Sequence, residues 1–268
     1  MSEFPIGCTL DAERFTITHH LAGAPERGLY RGRDTTTGAP VLVTLGLPQR
    51  DRTAIANQLA FEGIPRIAKL RHVGPLASRG HGDYDGLVED EPAGVRAVDV
   101  LRAPVDRETA AWVVLEVARI AAAANDHGVT LAGLRPELIY LWGTLPQVAG
   151  IAPRCEPFLL HAATSSTGGT CFDALYASPE VLARPRDPAP PHADAFSLVA
   201  MLGYWLTGDS PFPGEGAMQM LSIATGKRTP WRGTEDDGEL VAHGLALDPS
   251  ERTELPELVG ALEMLLDA

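Results

Sequence analysis

Lysine is almost absent from this chain, and basic residues as a whole are outnumbered by acidic ones. Only Lys69 and Lys227 accompany twenty arginines, and 35 Asp and Glu against 22 Lys and Arg give a formal net charge of −13. Nucleic-acid binding needs a surface rich in Lys and Arg that contacts phosphate, so this charge argues against a nucleic-acid partner. We interpret most of the acidic excess as solvated surface.

Cysteine and long apolar runs are also scarce. The three cysteines, Cys8, Cys155 and Cys171, show neither C-x-x-C spacing nor a disulfide framework, which favours reduced thiols. The longest apolar stretch, WVVLEVARIAAAA, is interrupted by Glu116 and Arg119 and is too short to span a bilayer. The first residues lack the basic start and apolar run of a signal peptide. These absences predict a cytoplasmic protein without membrane insertion.

The composition that remains is typical of a globular protein with a large core. Its 268 residues are 45% hydrophobic and 21% charged, which fits one domain or two closely joined lobes. Alternating β-branched and aromatic residues predict strands within 14–47 and 72–91, and helical spacing predicts a helix at 52–63. Later helices are predicted at 107–128, 194–208, 217–226, 238–247 and 255–267. A β-rich first third before a helical remainder predicts an α+β protein.

Five segments, in this order, resemble the protein kinase fold, in particular bacterial Ser/Thr kinases. They are the strands of 13–45, HGVTLAGLRPELIYL (127–141) at the catalytic loop, YASPEVL (176–182), DAFSLVAMLGYWLTGDSPFPG (194–214) and LALDPSERTELPELVGAL (245–262). The resemblance covers nearly the whole chain. It implies a two-lobed protein-kinase-like fold with a small β-rich N-lobe (1–92) and a larger α-helical C-lobe (93–268).

The resemblance also implies which positions would carry phosphoryl transfer. That reaction uses a glycine-rich loop over the phosphates, a strand lysine, a catalytic base and side chains that hold Mg²⁺. The matching positions are Ala22, Ala24 and Arg27 for the glycines, Thr44 for the lysine, Gly133 for the base, and Leu138 and Val148 for the metal ligands. A shifted alignment restores none of them, since no lysine precedes Lys69 and 138–155 contain no Asp or Glu. We expect no metal, no cofactor and no kinase catalysis.

Residues with structural roles in the family are retained. The resemblance implies an ion pair between Glu180 and Arg252, and implies that Asp194 accepts backbone N–H bonds at the start of its helix. Where kinases carry the activation segment, a polar loop contains candidate phosphorylation sites, although an unmodified loop fits the same residues. These sites are Thr164, Ser165, Ser166 and Thr167.

We therefore expect a pseudokinase: an inactive kinase-like scaffold or regulator that does not bind Mg-ATP tightly. Its partner would be another protein, such as an active kinase or its substrate, and a homodimer is a further option. An apolar patch around Phe212, Met218 and Met220 is a candidate contact surface. One alternative is a nucleotide-binding switch, with adenine hydrogen-bonded near Glu89–Glu91. The other is an unconventional phosphotransferase that uses ligands from elsewhere, such as Arg27, Arg135 or Glu62.

Overall fold

The structure, a computed structural model, describes nine stretches of the chain. They are 6–24, 27–46, 64–78, 82–128, 130–131, 134–142, 148–151, 176–184 and 189–267. The predicted helix at 52–63, Gly133 and the candidate phosphorylation sites at 164–167 lie outside these residues. Contacts divide the described residues into two compact units. The first contains 6–46 and 67–92, and the second contains 64–66 and the described residues from 93 onward.

The first unit is a closed six-stranded antiparallel barrel. Its strands are β1 (Thr9–Leu10), β2 (Phe15–Ala24), β3 (Arg27–Asp34), β4 (Pro40–Leu45), β5 (Leu70–Ser78) and β6 (Gly82–Asp90). They follow one another around the barrel in the order β1-β2-β3-β4-β6-β5. The short strand β1 closes the barrel because Leu10 pairs with Phe15 of β2 and with Ser78 of β5.

Turn chemistry explains the β3–β4 hairpin. Asp34 ends β3, and its Oδ1 accepts the backbone N–H groups of Thr36 and Thr37 at 2.9 and 3.3 Å. Gly38 then adopts a φ of 73°, a left-handed conformation that glycine reaches without steric cost. Asp34 and Gly38 therefore reverse the chain between the two strands.

The barrel wall is buried on both faces at β3, β4 and β6. The interior cluster consists of Leu10, Phe15, Ile17, Tyr30, Val41, Val43, Leu45, Leu76 and Val88. Because successive strand residues point to opposite faces, the other face of the three strands carries Leu29, Leu42, Thr44, Leu87 and Glu89. These five residues are also buried. Burial on both faces accounts for the nearly continuous apolar run VLVTL in β4.

The second unit combines a three-stranded sheet with helices. The sheet has the order β7 (Val95–Arg96), β8 (Ile139–Leu141) and β9 (Val148–Ile151). The described helices are α1 (Ala97–Val100), α2 (Arg107–Asp126), α3 (Pro179–Ala183), α4 (His192–Thr207), α5 (Ala217–Ala224), α6 (Glu235–Gly244) and α7 (Leu255–Asp267). Short 3₁₀ turns lie at Pro136–Leu138 and Pro249–Glu251.

Helix α4 is the centre of the second unit. It is apolar on nearly all sides, as expected of a helix enclosed by others, and it contacts α2, α6 and α7. The neighbouring helices begin at side-chain caps: Asp106 accepts the N–H of Thr109 at the start of α2, and Thr234 accepts that of Asp237 at the start of α6. Among the described residues, no helix combines the length and apolar character needed to cross a membrane.

Candidate functional site

In the first unit, Thr44 is the residue that the resemblance to kinases places at the phosphate-binding lysine. It lies in β4, paired with Leu29 of β3 on one side and Leu87 of β6 on the other. Thr44 is 0% exposed, and its hydroxyl has no hydrogen-bond partner among the described residues. A cation in such surroundings costs several kcal/mol unless it is paired. The position therefore holds a short, buried side chain flanked by leucines.

The three glycine-loop positions come together at the end of one hairpin. Ala22 of β2 pairs with Leu29 of β3, and Ala24 pairs with Arg27. The register of this hairpin shifts between His20 and Ala22. The described backbone therefore places the three positions on two paired strands, while the glycines that allow close approach to phosphate are absent from these positions.

The end of β6 has few free backbone donors. The N–H of Asp90 donates to the carbonyl of Lys69 at 2.8 Å, and the N–H of Glu91 donates to that of Pro40 at 3.2 Å. The next residue is Pro92, which has no N–H. The Glu91 carboxylate is bound by the guanidinium of Arg31 at 2.6 Å. The N–H groups of Asp90 and Glu91, two of the donors expected for adenine near Glu89–Glu91, are thus bonded within the unit.

In the second unit, three of the described kinase-motif positions hold buried apolar side chains. Leu131, Leu138 and Val148 all lie in the core. Leu138 ends the 3₁₀ turn that follows Arg135, and Val148 pairs with Leu141 across β8 and β9. The resemblance places two of these side chains, Leu138 and Val148, at the metal-ligand positions. In the described part of the chain, no group of three or more His, Cys, Asp or Glu side chains could hold a metal ion.

Asp194 bonds to a different backbone segment from the one predicted. The first residue of α4 is His192, and Pro191 occupies the cap position without a side-chain bond. Instead, Asp194 Oδ2 accepts the N–H of Leu131 at 2.9 Å, across 63 residues of sequence. In the first turn of a helix, a side chain extends toward the N-terminal end and beyond it. The carboxylate therefore supports the catalytic-loop segment.

Arg252 and Glu180 form a two-pronged ion pair. Nη1 of Arg252 lies 2.7 Å from Oε1 of Glu180, and Nη2 lies 3.2 Å from Oε2. Arg252 also donates to the carbonyl of Ala246 and stands 5.0 Å above the ring of Phe196. Burial raises the pKa of Glu180, but the bonds and charge of Arg252, together with hydrogen bonds from Ser178 and from the backbone of Glu180, outweigh burial and keep that pKa below its usual value. This pair joins α3 to the segment that precedes α7.

One predicted contact surface is wrong in part. Phe212 is 1% exposed and stacks on Phe196, with ring centroids 5.7 Å apart, so it belongs to the core. Met220 is partly buried. Met218 and Leu221 are 62% and 54% exposed on α5, and Leu221 replaces Phe212 in the surface that remains.

A charged cluster that the sequence pattern does not reveal lies at the start of α2 and α6. Arg107 Nε donates to both carboxylate oxygens of Asp237 at 3.1 and 3.2 Å, and the Thr234 hydroxyl donates to the same carboxylate at 2.7 Å. Asp237 is buried and lies 130 residues from Arg107 in sequence. Residues this far apart leave no periodic pattern in the sequence from which their pairing could be predicted. The cluster stabilises the helical unit. None of its described hydrogen bonds involves a kinase-motif position.

Comparison with known proteins shows the fold. No protein-family model and no curated protein sequence match this chain. The crystal structure of Rad53 1-466 in complex with AMP-PNP matches with a TM-score of 0.68 and 18% sequence identity, over 96% of this chain and 67% of that chain. This chain therefore has a protein-kinase-like fold. At that identity the likeness concerns the fold alone, and the bound AMP-PNP is a property of the Rad53 structure.

Proposed function

We propose that this chain is a pseudokinase, a kinase-like protein without phosphoryl transfer that acts as a protein-binding scaffold or regulator. The observation that carries the proposal is the buried Thr44 at the lysine position, with Leu29 and Leu87 beside it in the sheet. Phosphoryl transfer depends almost entirely on positioned charge. An uncharged side chain at this position removes one of the cations on which that mechanism depends.

The second unit supports the same proposal. Leu138 and Val148, at the two metal-ligand positions, are buried and apolar. Mg²⁺ prefers carboxylate and phosphate oxygens, and its loss removes several kcal/mol of charge stabilisation from the transition state. The missing lysine and base deepen this deficit, although such effects do not simply add. We therefore expect no kinase activity.

The end of β6 speaks against the nucleotide-switch alternative. Adenine recognition near Glu89–Glu91 needs a free backbone donor, whereas the N–H groups of Asp90 and Glu91 are bonded to carbonyls and Pro92 has none. The phosphotransferase alternative needs an accessible cation. Arg135 is only 2% exposed, and its Nε lies 3.8 Å from Oε2 of Glu137. Glu62 and the side chain of Arg27 lie outside the described residues.

The scaffold role requires an exposed contact surface. Met218 and Leu221 supply apolar area on α5, and α5 itself carries no charged residue. In this proposal the partner is another protein in the cytoplasm, such as an active kinase or its substrate. The alternative is that a second copy of this chain binds the same surface. Phosphorylation within 164–167 would add a second level of control.

Thermal unfolding with nucleotide tests the proposal. A ligand that binds only the native state at 100 times its Kd adds about 2.7 kcal/mol, which is a readily measured shift in Tm. We expect no shift with ATP or ADP at millimolar concentration, with or without Mg²⁺, and no transfer of labelled phosphate to the chain or to a generic protein substrate. A Mg²⁺-dependent shift together with phosphate transfer would contradict the proposal. A shift without Mg²⁺ would favour the nucleotide switch.

A further inference from the structure

A surface pocket in the second unit lies away from every kinase-motif position discussed above. Its walls come from the end of α4, from 209–211, from 228–231 and from α6. Its space amounts to about 460 Å³ when the open solvent at its mouth is included. A small ligand bound there would be partly enclosed by these walls and partly exposed to solvent.

Arg228 is the cationic group of this pocket. Its Nη1 donates to the carbonyl of Ala242 at 2.9 Å, and its Nη2 donates to that of Leu245 at 2.8 Å. Ala242 lies in the last turn of α6 and Leu245 directly follows the helix, so the two bonds satisfy carbonyls at the helix end and fix the guanidinium plane. A guanidinium has five N–H donors, which leaves others for a ligand.

No acidic side chain pairs with Arg228 among the described residues. Most other described arginines are paired with carboxylates, as expected in a chain with a net charge of −13. These pairs include Arg31–Glu91, Arg66–Glu116, Arg71–Asp90, Arg96–Asp99, Arg107–Asp237 and Arg252–Glu180. Arg228 is partly buried, and burial lowers its pKa without a compensating acid. A guanidinium that is held in place and partly shielded from water in this way can bind an anionic ligand.

Trp231 supplies a rigid apolar wall. Its indole Nε1 donates to the carbonyl of Thr234 at 2.6 Å. The ring lies against Gly238 of α6, where a Cβ would stand 2.7 Å from Cδ1 of the indole. Glycine inside a helix costs about 0.5–1 kcal/mol relative to alanine, so this close approach explains its presence. Pro211, Val241 and Leu245 complete the apolar lining.

We propose that this pocket binds a carboxylate joined to an apolar group, with Arg228 contacting the carboxylate and Trp231 contacting the apolar group. The planar guanidinium matches a carboxylate in a two-bond arrangement. Asp209 also lines the pocket, where it pairs with Arg232 at 3.2 Å, and its negative charge repels a doubly charged phosphate more strongly than a singly charged carboxylate. A free amino-acid-sized acid and the C-terminus of a peptide present the same chemistry. The proposal is independent of kinase activity and of the scaffold role.

The test is an NMR titration of the ¹⁵N-labelled full chain that follows the indole N–H of Trp231 and the Nε–H of Arg228. The probes are 3-phenylpropionate, its neutral amide, acetyl-Gly-Phe as the acid and as the C-terminal amide, and inorganic phosphate. We expect at least one acid to shift both signals and to bind about ten-fold or more tightly than its amide. Binding of 3-phenylpropionate alone identifies a free acid as the ligand, and binding of the peptide acid alone identifies a C-terminus.

Three variants separate binding from folding. Arg228→Gln should abolish acid binding, but it also removes two bonds to α6. Ala242→Phe blocks the pocket from an exposed helix position while leaving the backbone carbonyl that Arg228 contacts, so it should abolish binding without a large change in Tm. Arg102→Gln is the control for charge, because Arg102 is exposed and lies outside the pocket. Equal affinity for acid and amide, retained binding in Ala242→Phe, tighter binding of phosphate than of either acid, or no shift with any probe would overturn the proposal.

Discussion

Replacement of Thr44 by valine tests whether the side chain at the lysine position is packed in the protein interior or faces a ligand site. Valine has nearly the same shape as threonine and exchanges the hydroxyl for a methyl group. The hydroxyl is fully buried and has no partner among the described residues. A buried hydroxyl without a hydrogen bond costs about 1–3 kcal/mol, and valine suits a strand at least as well. We expect Thr44→Val to stabilise the chain by about 1 kcal/mol, a rise in Tm of about 2–4 °C.

The matched controls change one property at a time. Thr44→Ser keeps the hydroxyl and removes a methyl group, so it should destabilise the chain by about 1 kcal/mol. Thr44→Lys restores the cation of active kinases, but burying an unpaired ammonium costs several kcal/mol. We therefore expect Thr44→Lys to lower Tm in calorimetry and in urea unfolding, and Mg-ATP to leave that Tm unchanged.

Two results would refute this reasoning. If Thr44→Val lowers stability, the hydroxyl has a favourable partner, such as an ordered water or a ligand, and the face of β4 is a polar site. If Thr44→Lys is tolerated and gains a Mg-ATP-dependent rise in Tm, the first unit retains a nucleotide site that only lacked its cation. Either result would move the chain toward the nucleotide-binding alternatives.

Three further predictions concern the second unit. Arg252→Ala leaves the Glu180 carboxylate without its cation and should cost about 3–5 kcal/mol in urea unfolding. Because the pKa of Glu180 is lowered in the folded state, its contribution is present above the unfolded pKa of about 4.3 and is lost as pH falls through the folded value. Glu180→Gln should therefore be less destabilising at pH 3 than at pH 7, and an equal loss at both would contradict the ion-pair account. Leu221→Asp, at an exposed position, should change stability by no more than about 0.5 kcal/mol, while any self-association seen by sedimentation should weaken.

Local patterns explain which elements can be predicted from the sequence. The strands of the first unit and helix α2 have clear periods, and Asp34, Gly38 and Asp106 have the turn and cap chemistry that bounds them. The kinase-like fold can be predicted because several such elements occur in one order, and the Rad53 structure agrees with it.

The features that could not be predicted depend on contacts between distant residues. Strand β1 has only two residues, too few for a period, and exists because Leu10 pairs with both β2 and β5. Helix α6 starts at Glu235 rather than at the predicted 238, because Thr234 caps it and Gly238, which resembles a boundary, lies inside it against Trp231. Helix propensity alone cannot predict the contact between Gly238 and Trp231.

The contacts of each residue are consistent with the proposal that this kinase-like fold persists without kinase chemistry. Asp194 accepts a backbone N–H group of its own unit, and Arg252 donates to a backbone carbonyl and to the carboxylate of Glu180. Loss of either side chain leaves a polar partner without its hydrogen bond, which destabilises the fold. A phosphate-binding lysine or a metal-binding carboxylate instead contacts the ligand, and an apolar replacement there removes a desolvated charge and favours folding. Asp194→Asn should therefore cost more stability than any apolar exchange at Thr44, Leu138 or Val148 that keeps side-chain volume. The opposite order would indicate that these positions still serve a bound ligand.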